Sequence, residues 1–141
     1  MARKMRPDEK VNLLLVDDRP NNLILLEAIL DSPDYHLVKA FSGKEALKHL
    51  LRDDFALILL DIMMPEMDGF ETAKLIKQRS QSKDIPIIFI TAMEPDQETM
   101  FKANSVGAVD YLFKPFDSDM LKSKVSVFVD LYKKNRLLWR K

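Results

Sequence analysis

The sequence predicts an α/β domain, a parallel sheet covered by helices on both faces, and three observations carry that prediction. Five short apolar runs alternate with five segments of helical periodicity. The runs are nearly continuous in Val, Ile, Leu and Phe, the pattern of strands buried on both faces rather than on one. The chemically unusual residues sit at the C-terminal ends of those runs: Asp17 and Asp18, Asp61, Thr91 and Lys114.

Taken in order, Val11 to Val16 reads as the first strand and ends in the acidic pair Asp17-Asp18. Arg19-Pro20-Asn21-Asn22 turns the chain into a helix whose face is Leu23, Leu26, Ala28, Ile29 and Leu30, stopped by Asp31-Ser32-Pro33-Asp34. Tyr35 to Ala40 is the second strand. Ser42 caps the next helix with Glu45 three residues on, and Ala46, Leu47, Leu50 and Leu51 supply its buried stripe. Asp53-Asp54 leads into a third strand, Phe55 to Leu60, which delivers Asp61 to a turn punctuated by Pro65 and Gly69. Asp68 caps a helix from about Gly69 to Arg79. After the polar loop Ser80 to Asp84 comes a fourth strand, Ile85 to Ile90, ending at Thr91; Pro86 suits only its first residues. Pro95 is placed as the first residue of a helix to about Val106, with Gly107 just past its end. Val109 to Phe113 is the fifth strand and ends at Lys114-Pro115, after which Asp117 or Ser118 caps a last helix running through Leu138 or beyond.

Composition narrows the class. A chain of 141 residues is the size of one domain and can bury a core. Lys and Arg total 22 and Asp and Glu total 22, so the overall charge recommends neither nucleic acid nor an anionic membrane as partner. The absence of cysteine excludes thiolate metal sites and thiol nucleophiles and fits a reducing compartment, with the cytoplasm the expected location. Met1 to Lys10 lacks a signal-peptide apolar stretch, and no apolar run is long enough to span a bilayer.

In a parallel α/β sheet the ligand site lies beyond the carboxyl ends of the strands, where the strand order reverses. Three carboxylates gathered there repel one another unless a cation holds them, and an all-oxygen set without His or Cys suits Mg²⁺. Magnesium bound by one or two carboxylates implies a phosphate ligand, and Asp61 is then the natural nucleophile toward phosphorus. Lys114 balances phosphoryl charge and the Thr91 hydroxyl donates to a phosphoryl oxygen. Taken singly, Asp17-Asp18 reads as a solvated strand-end pair and Tyr111 as core; the ordered set is what points to a site.

That set is Val16-Asp17-Asp18, Leu60-Asp61-Ile62-Met63-Met64-Pro65-Glu66-Met67-Asp68-Gly69, Thr91-Ala92 and Asp110-Tyr111-Leu112-Phe113-Lys114-Pro115-Phe116, and it resembles the receiver domain of two-component response regulators. The resemblance covers about Val11 to Val129, within an expected domain of residues 9–129 followed by a helical extension at 130–141. It implies a flavodoxin-like doubly wound sheet of five strands in the order 2-1-3-4-5, an order for which general accounts of the fold use a member of this family as an example. It further implies that Asp61 is the phosphoacceptor, that Asp17, Asp18 and the Met63 backbone carbonyl join Asp61 in holding Mg²⁺, and that Lys114 is the phosphate lysine. Thr91 and Tyr111 are implied as switch residues, Met63 and Met93 as positions that tune hydrolysis of the acyl phosphate, and Lys114-Pro115 as a cis peptide.

The function so implied is a phosphorelay signalling switch charged by a histidine kinase or phosphotransfer protein, not an enzyme turning over a substrate. Two other readings compete: a Mg²⁺-dependent phosphohydrolase with an aspartyl-phosphate intermediate, opposed by Met63 where a second Asp would serve a leaving group, and a vestigial receiver used as a constitutive interaction module. Output is expected outside the chain, in another domain or an effector. The last helix, about 34 Å from Asp117 to Trp139, is expected to overhang the sheet from Lys133 onward and to pair there with a second copy or a following domain.

Overall fold

The computed structural model describes residues 9–92 and 96–138. Five strands and five helices alternate: β1 (Val11–Val16), α1 (Pro20–Leu30), β2 (Tyr35–Ala40), α2 (Gly43–Arg52), β3 (Leu57–Asp61), α3 (Gly69–Gln78), β4 (Ile87–Thr91), α4 (Gln97–Ser105), β5 (Asp110–Phe113) and α5 (Ser118–Leu138). The sheet runs β2-β1-β3-β4-β5 with every pair parallel, the order expected. Because successive side chains of a strand point to opposite faces, the central strands feed two cores. Leu13, Leu15, Leu57, Leu59, Ile88 and Ile90 pack with Leu23 and Leu26 of α1 and with Leu121 and Val125 of α5. Leu14, Val16, Ile58, Leu60, Ile87 and Phe89 pack on the other face with α2, α3 and Ala103 of α4. Among the described residues no helix is long and apolar enough to cross a membrane.

Element ends follow local chemistry. Ser42 Oγ accepts the Glu45 N–H at 3.1 Å while Glu45 Oε1 accepts the Phe41 N–H at 2.9 Å, a reciprocal cap on α2. Asp68 Oδ1 accepts the Glu71 N–H at 2.9 Å and starts α3 as expected. Four element starts differ from the sequence reading, among them β5, which begins at Asp110 rather than Val109. β3 begins at Leu57 rather than Phe55, although the Ala56 N–H already donates to the Asn12 carbonyl of β1 at 2.9 Å. β4 begins at Ile87, since Pro86 has no N–H to give, although its carbonyl accepts from Ile58 at 3.0 Å. α4 begins at Gln97 with Asp96 as its cap, Oδ1 accepting the Thr99 N–H at 2.7 Å; Pro95 lies outside the described residues.

The last helix also corrects an expectation. Tyr132 packs against the core, and Arg136 lies 4.7 Å from the Tyr132 ring and 3.3 Å from Asp54 Oδ2. Lys133 to Arg136 therefore belongs to a segment held to the domain rather than to a free overhang, because the long guanidinium stem reaches back to the loop before β3. Trp139 lies outside the described residues.

The β3–α3 loop brings the backbone of α3 against the end of β3. The Gly69 N–H donates to the Ile62 carbonyl at 2.8 Å, and a Cβ on Gly69 would stand 2.3 Å from the Asp61 carbonyl oxygen and 2.7 Å from Ile62 Cα. Gly69→Ala should thus cost about 1–3 kcal/mol, the usual cost of overpacking, read as a lower midpoint in urea unfolding. An unchanged midpoint would mean that the loop absorbs the methyl group freely.

Candidate functional site

The sheet order sets β1 beside β3 with Val16 paired to Leu60, so the residues that follow, Asp17 and Asp61, leave the sheet side by side. The helices after these strands pack on opposite faces, α1 with one core and α3 with the other, which opens a crevice between the two turns. Carboxylate oxygens of Asp17, Asp18 and Asp61 all lie within 4.8 Å of one another there. Asp17 is 2 % exposed and Asp61 7 % exposed, and Asp18 is half-buried.

The three acids are unequally supported. Asp17 Oδ1 accepts the Arg19 N–H at 2.9 Å, and its Oδ2 accepts from Asn22 Nδ2 at 3.0 Å, with Lys114 Nζ 3.5 Å away. Asp61 has the Met63 N–H and the more distant Lys114 charge in its favour. Burial first, then the Asp17 charge and more weakly that of Asp18, push its carboxyl from 3.8 up to about 6, against the opposing pull of Lys114 and the Met63 amide. The cluster thus has more negative charge than the described residues neutralise. Its donor set is oxygen only, which suits a hard divalent cation of the magnesium type.

The other residues singled out from sequence converge on the same edge. Thr91 ends β4 next to β3, fully buried, and pairs in register with Phe113. Lys114 follows β5, and the Lys114-Pro115 peptide is cis. Tyr111 is half-buried on β5: its ring lies 5.5 Å from that of Phe113 and 6.4 Å from that of Phe89, and its hydroxyl is 3.5 Å from the Thr99 carbonyl oxygen, at the outer limit of a hydrogen bond. Met63 is 61 % exposed beside the cluster. Met93 lies outside the described residues. His36 Nδ1 lies 2.9 Å from Asn12 Oδ1 on the neighbouring strand.

Some contributors were not singled out from sequence. Asn22 supports Asp17 from the first turn of α1, where an Asn reads as an ordinary helix-start residue. Lys124 of α5 pairs with Asp110, whose other oxygen accepts the Tyr111 N–H at 2.8 Å, so the start of β5 is tied to the last helix. Neither pairing leaves a short-range signal.

Comparison with known proteins agrees with this geometry. The sequence matches the family profile described as "Response regulator receiver domain" over residues 13–126. It is 41% identical over 114 residues to a "Probable cyclic di-GMP phosphodiesterase" of Vibrio cholerae, a match covering 80% of this chain and 25% of that protein. The chain spans about a quarter of the length of the curated relatives it matches. Among solved structures, the Vibrio cholerae chemotaxis protein CheY4 superposes with a TM-score of 0.78 at 31% identity, over 84% of this chain and 98% of that one. The receiver domain of sensor histidine kinase PA1611 from Pseudomonas aeruginosa, solved with a magnesium ion in its active-site cleft, gives a TM-score of 0.77 at 29% identity over 86% and 98% of the two chains.

The raised Asp61 carboxyl makes stability depend on pH. Between 3.8 and about 6 the folded chain keeps a proton that the unfolded chain has released, so this group lowers stability progressively as pH rises through that window. With divalent ions chelated, Asp61→Asn should be more stable than wild type near neutral pH by about 1–2 kcal/mol, allowing for solvent at the open side. The difference should shrink below about pH 4 and on adding Mg²⁺ to wild type. A gap that is constant with pH in denaturant titrations would disprove the strain at Asp61.

Proposed function

The chain belongs to the response regulator receiver domain family, and from that premise we propose that Asp61 takes a phosphoryl group from a histidine kinase or phosphotransfer protein in a Mg²⁺-dependent reaction. The observation that carries the reading is the meeting of three carboxylates within 4.8 Å at the crevice, with Lys114 beside them. Asp17, Asp18, Asp61 and the Met63 backbone carbonyl would hold the cation. When bound, Mg²⁺ neutralises the cluster and offsets charge on the phosphoryl oxygens.

A carboxylate oxygen of Asp61 then forms the new bond to phosphorus, while the bond to the donor nitrogen breaks and its electron pair leaves with the imidazole. No base is needed, because the attacking carboxylate carries no proton. Lys114, now 3.5 Å from Asp17, is placed to turn toward the new phosphoryl group. Thr91 supplies a hydroxyl from the end of β4, and movement toward the phosphoryl group would vacate space that the Tyr111 ring enters. The domain is thus a switch between two packings biased by one covalent group. Met63 and Met93 are read as shielding phosphorus, since a thioether neither orients nor deprotonates water.

Labelling with a small phosphodonor in Mg²⁺ should place one acid-labile, base-labile phosphoryl group on wild type and none on Asp61→Asn, by intact mass. Asp18→Ala should lose most Mg²⁺ affinity, and Met63→Asn should shorten the acyl-phosphate lifetime. Phosphate on another residue would overturn the assignment, and sustained multiple-turnover phosphate release would favour the hydrolase reading instead.

We further read α5 as the output face toward a second copy. Val127 and Leu131, one helical turn apart, are 55 % and 51 % exposed, more apolar surface than packing on the sheet uses. Phosphorylated chain should then sediment partly as a dimer, and Leu131→Glu should abolish that fraction while leaving labelling intact. A chain that stays monomeric at all concentrations, phosphorylated or not, rules this pairing out.

A further inference from the structure

Beside the carboxylate cluster, lined by the residues that follow Asp18 and Asp61 in the chain, lies a cleft of about 520 Å³, walled by Arg19 of the β1–α1 turn, Met63 and Asp68 of the β3–α3 loop, and Phe70 and Lys102 of the flanking helices. Its charged groups differ in how far they are committed. The Asp68 carboxylate caps α3 through the Glu71 N–H. Lys102 lies 5.8 Å from the centre of the Phe70 ring and 3.7 Å from Glu98 Oε1. The Arg19 side chain is exposed, and among the described residues its guanidinium makes no ion pair. Its backbone is nevertheless fixed, because the Arg19 N–H donates to Asp17. On the opposite wall the Met63 N–H donates to Asp61. Both lips of the cleft are thereby anchored on the carboxylates themselves.

An anionic donor approaching three carboxylates meets repulsion that falls only slowly with distance in a partly enclosed cleft. A guanidinium matches phosphoryl oxygens through two parallel N–H bonds and keeps its charge at every accessible pH. We propose that Arg19 captures the phosphoryl group of a small acyl phosphate at the mouth of this cleft and so sets the rate at which Asp61 is phosphorylated without a protein donor. The inference rests on Asp61 being the acceptor. In the step itself the Asp61 oxygen–phosphorus bond forms, the bond between phosphorus and the acyl oxygen breaks, and the electron pair departs with the carboxylate product. Arg19 contributes position and charge and exchanges no proton.

The test is the second-order rate constant for labelling by acetyl phosphate in saturating Mg²⁺, at low and high ionic strength. Arg19→Gln should lower it about three- to tenfold at low salt, Arg19→Glu further, and Arg19→Lys by less than either. The loss should fade at high salt as the charge is screened. Mg²⁺ is brought to saturation separately for each variant, so that any change in cation affinity caused by the altered charge beside the carboxylates does not enter the comparison. Arg52→Gln, the same charge change at the end of α2 away from the cleft, should leave the rate unchanged. Wild-type rates in both Arg19→Gln and Arg19→Glu, or an equal loss in Arg52→Gln, overturn the role of Arg19. Failure of wild type itself to label at Asp61 strikes the underlying reading instead.

Discussion

The parallel pairing of β1 with β3, in the register that sets Val16 against Leu60, is the constraint from which the rest of the molecule follows. Two strands with their C-terminal ends level send Asp17 and Asp61 out together. The chain then departs in opposite directions, α1 to one face and α3 to the other, so no connection covers the ends and the crevice stays open. Thr91 and Lys114 arrive on the same edge because β4 and β5 are added to the sheet in step. What holds this register is apolar: Leu13, Leu15, Leu57 and Leu59 on one face and Leu14, Val16, Ile58 and Leu60 on the other are buried in separate cores. A slip by one residue would exchange the two sets and turn each strand's side chains to the wrong helices.

Packing strong enough to fix the register also compels like charges to meet. The structure meets that cost unevenly, giving Asp17 donors from Arg19 and Asn22 with Lys114 close by, and leaving Asp61 with the Met63 amide while burial and the Asp17 charge raise its carboxyl to about 6. Asp17 thereby has more donors about its carboxylate than Asp61, whose charge is the less well supported of the two. That asymmetry is chemically apt, since the poorly supported oxygen has most to gain when a cation or a phosphoryl group takes up its electron density. The close approach of Gly69 to the Asp61 carbonyl belongs to the same arrangement, because it fixes the backbone from which the carboxylate projects.

The last helix is tied by two ion pairs to the N-terminal ends of strands. At the start of β5 Lys124 pairs with Asp110, which also receives the amide of Tyr111, and about three turns further along the helix Arg136 reaches Asp54, just before β3. The Tyr111 amide and the Lys124 ammonium thus share one carboxylate, which couples β5 to α5.

Much of this was legible in the chain. Strands buried on both faces leave continuous apolar runs, caps such as Ser42 and Asp68 write helix starts locally, and the residues after the runs name the chemistry. The strand order came from family resemblance, because periodicity records which side of an element is buried and not which element lies beside it. Asp96 in place of Pro95 at the start of α4 could not be separated on local grounds, since both residues are favourable at neighbouring positions of a helix start. The support of Asp17 by Asn22, the tie of Lys124 to Asp110, and the bridge between Arg136 and Asp54 across 82 residues were decided by the tertiary structure alone. Capping and periodicity act within a turn or two of the chain, whereas the partner of a long charged side chain is fixed only after the sheet has placed its helices.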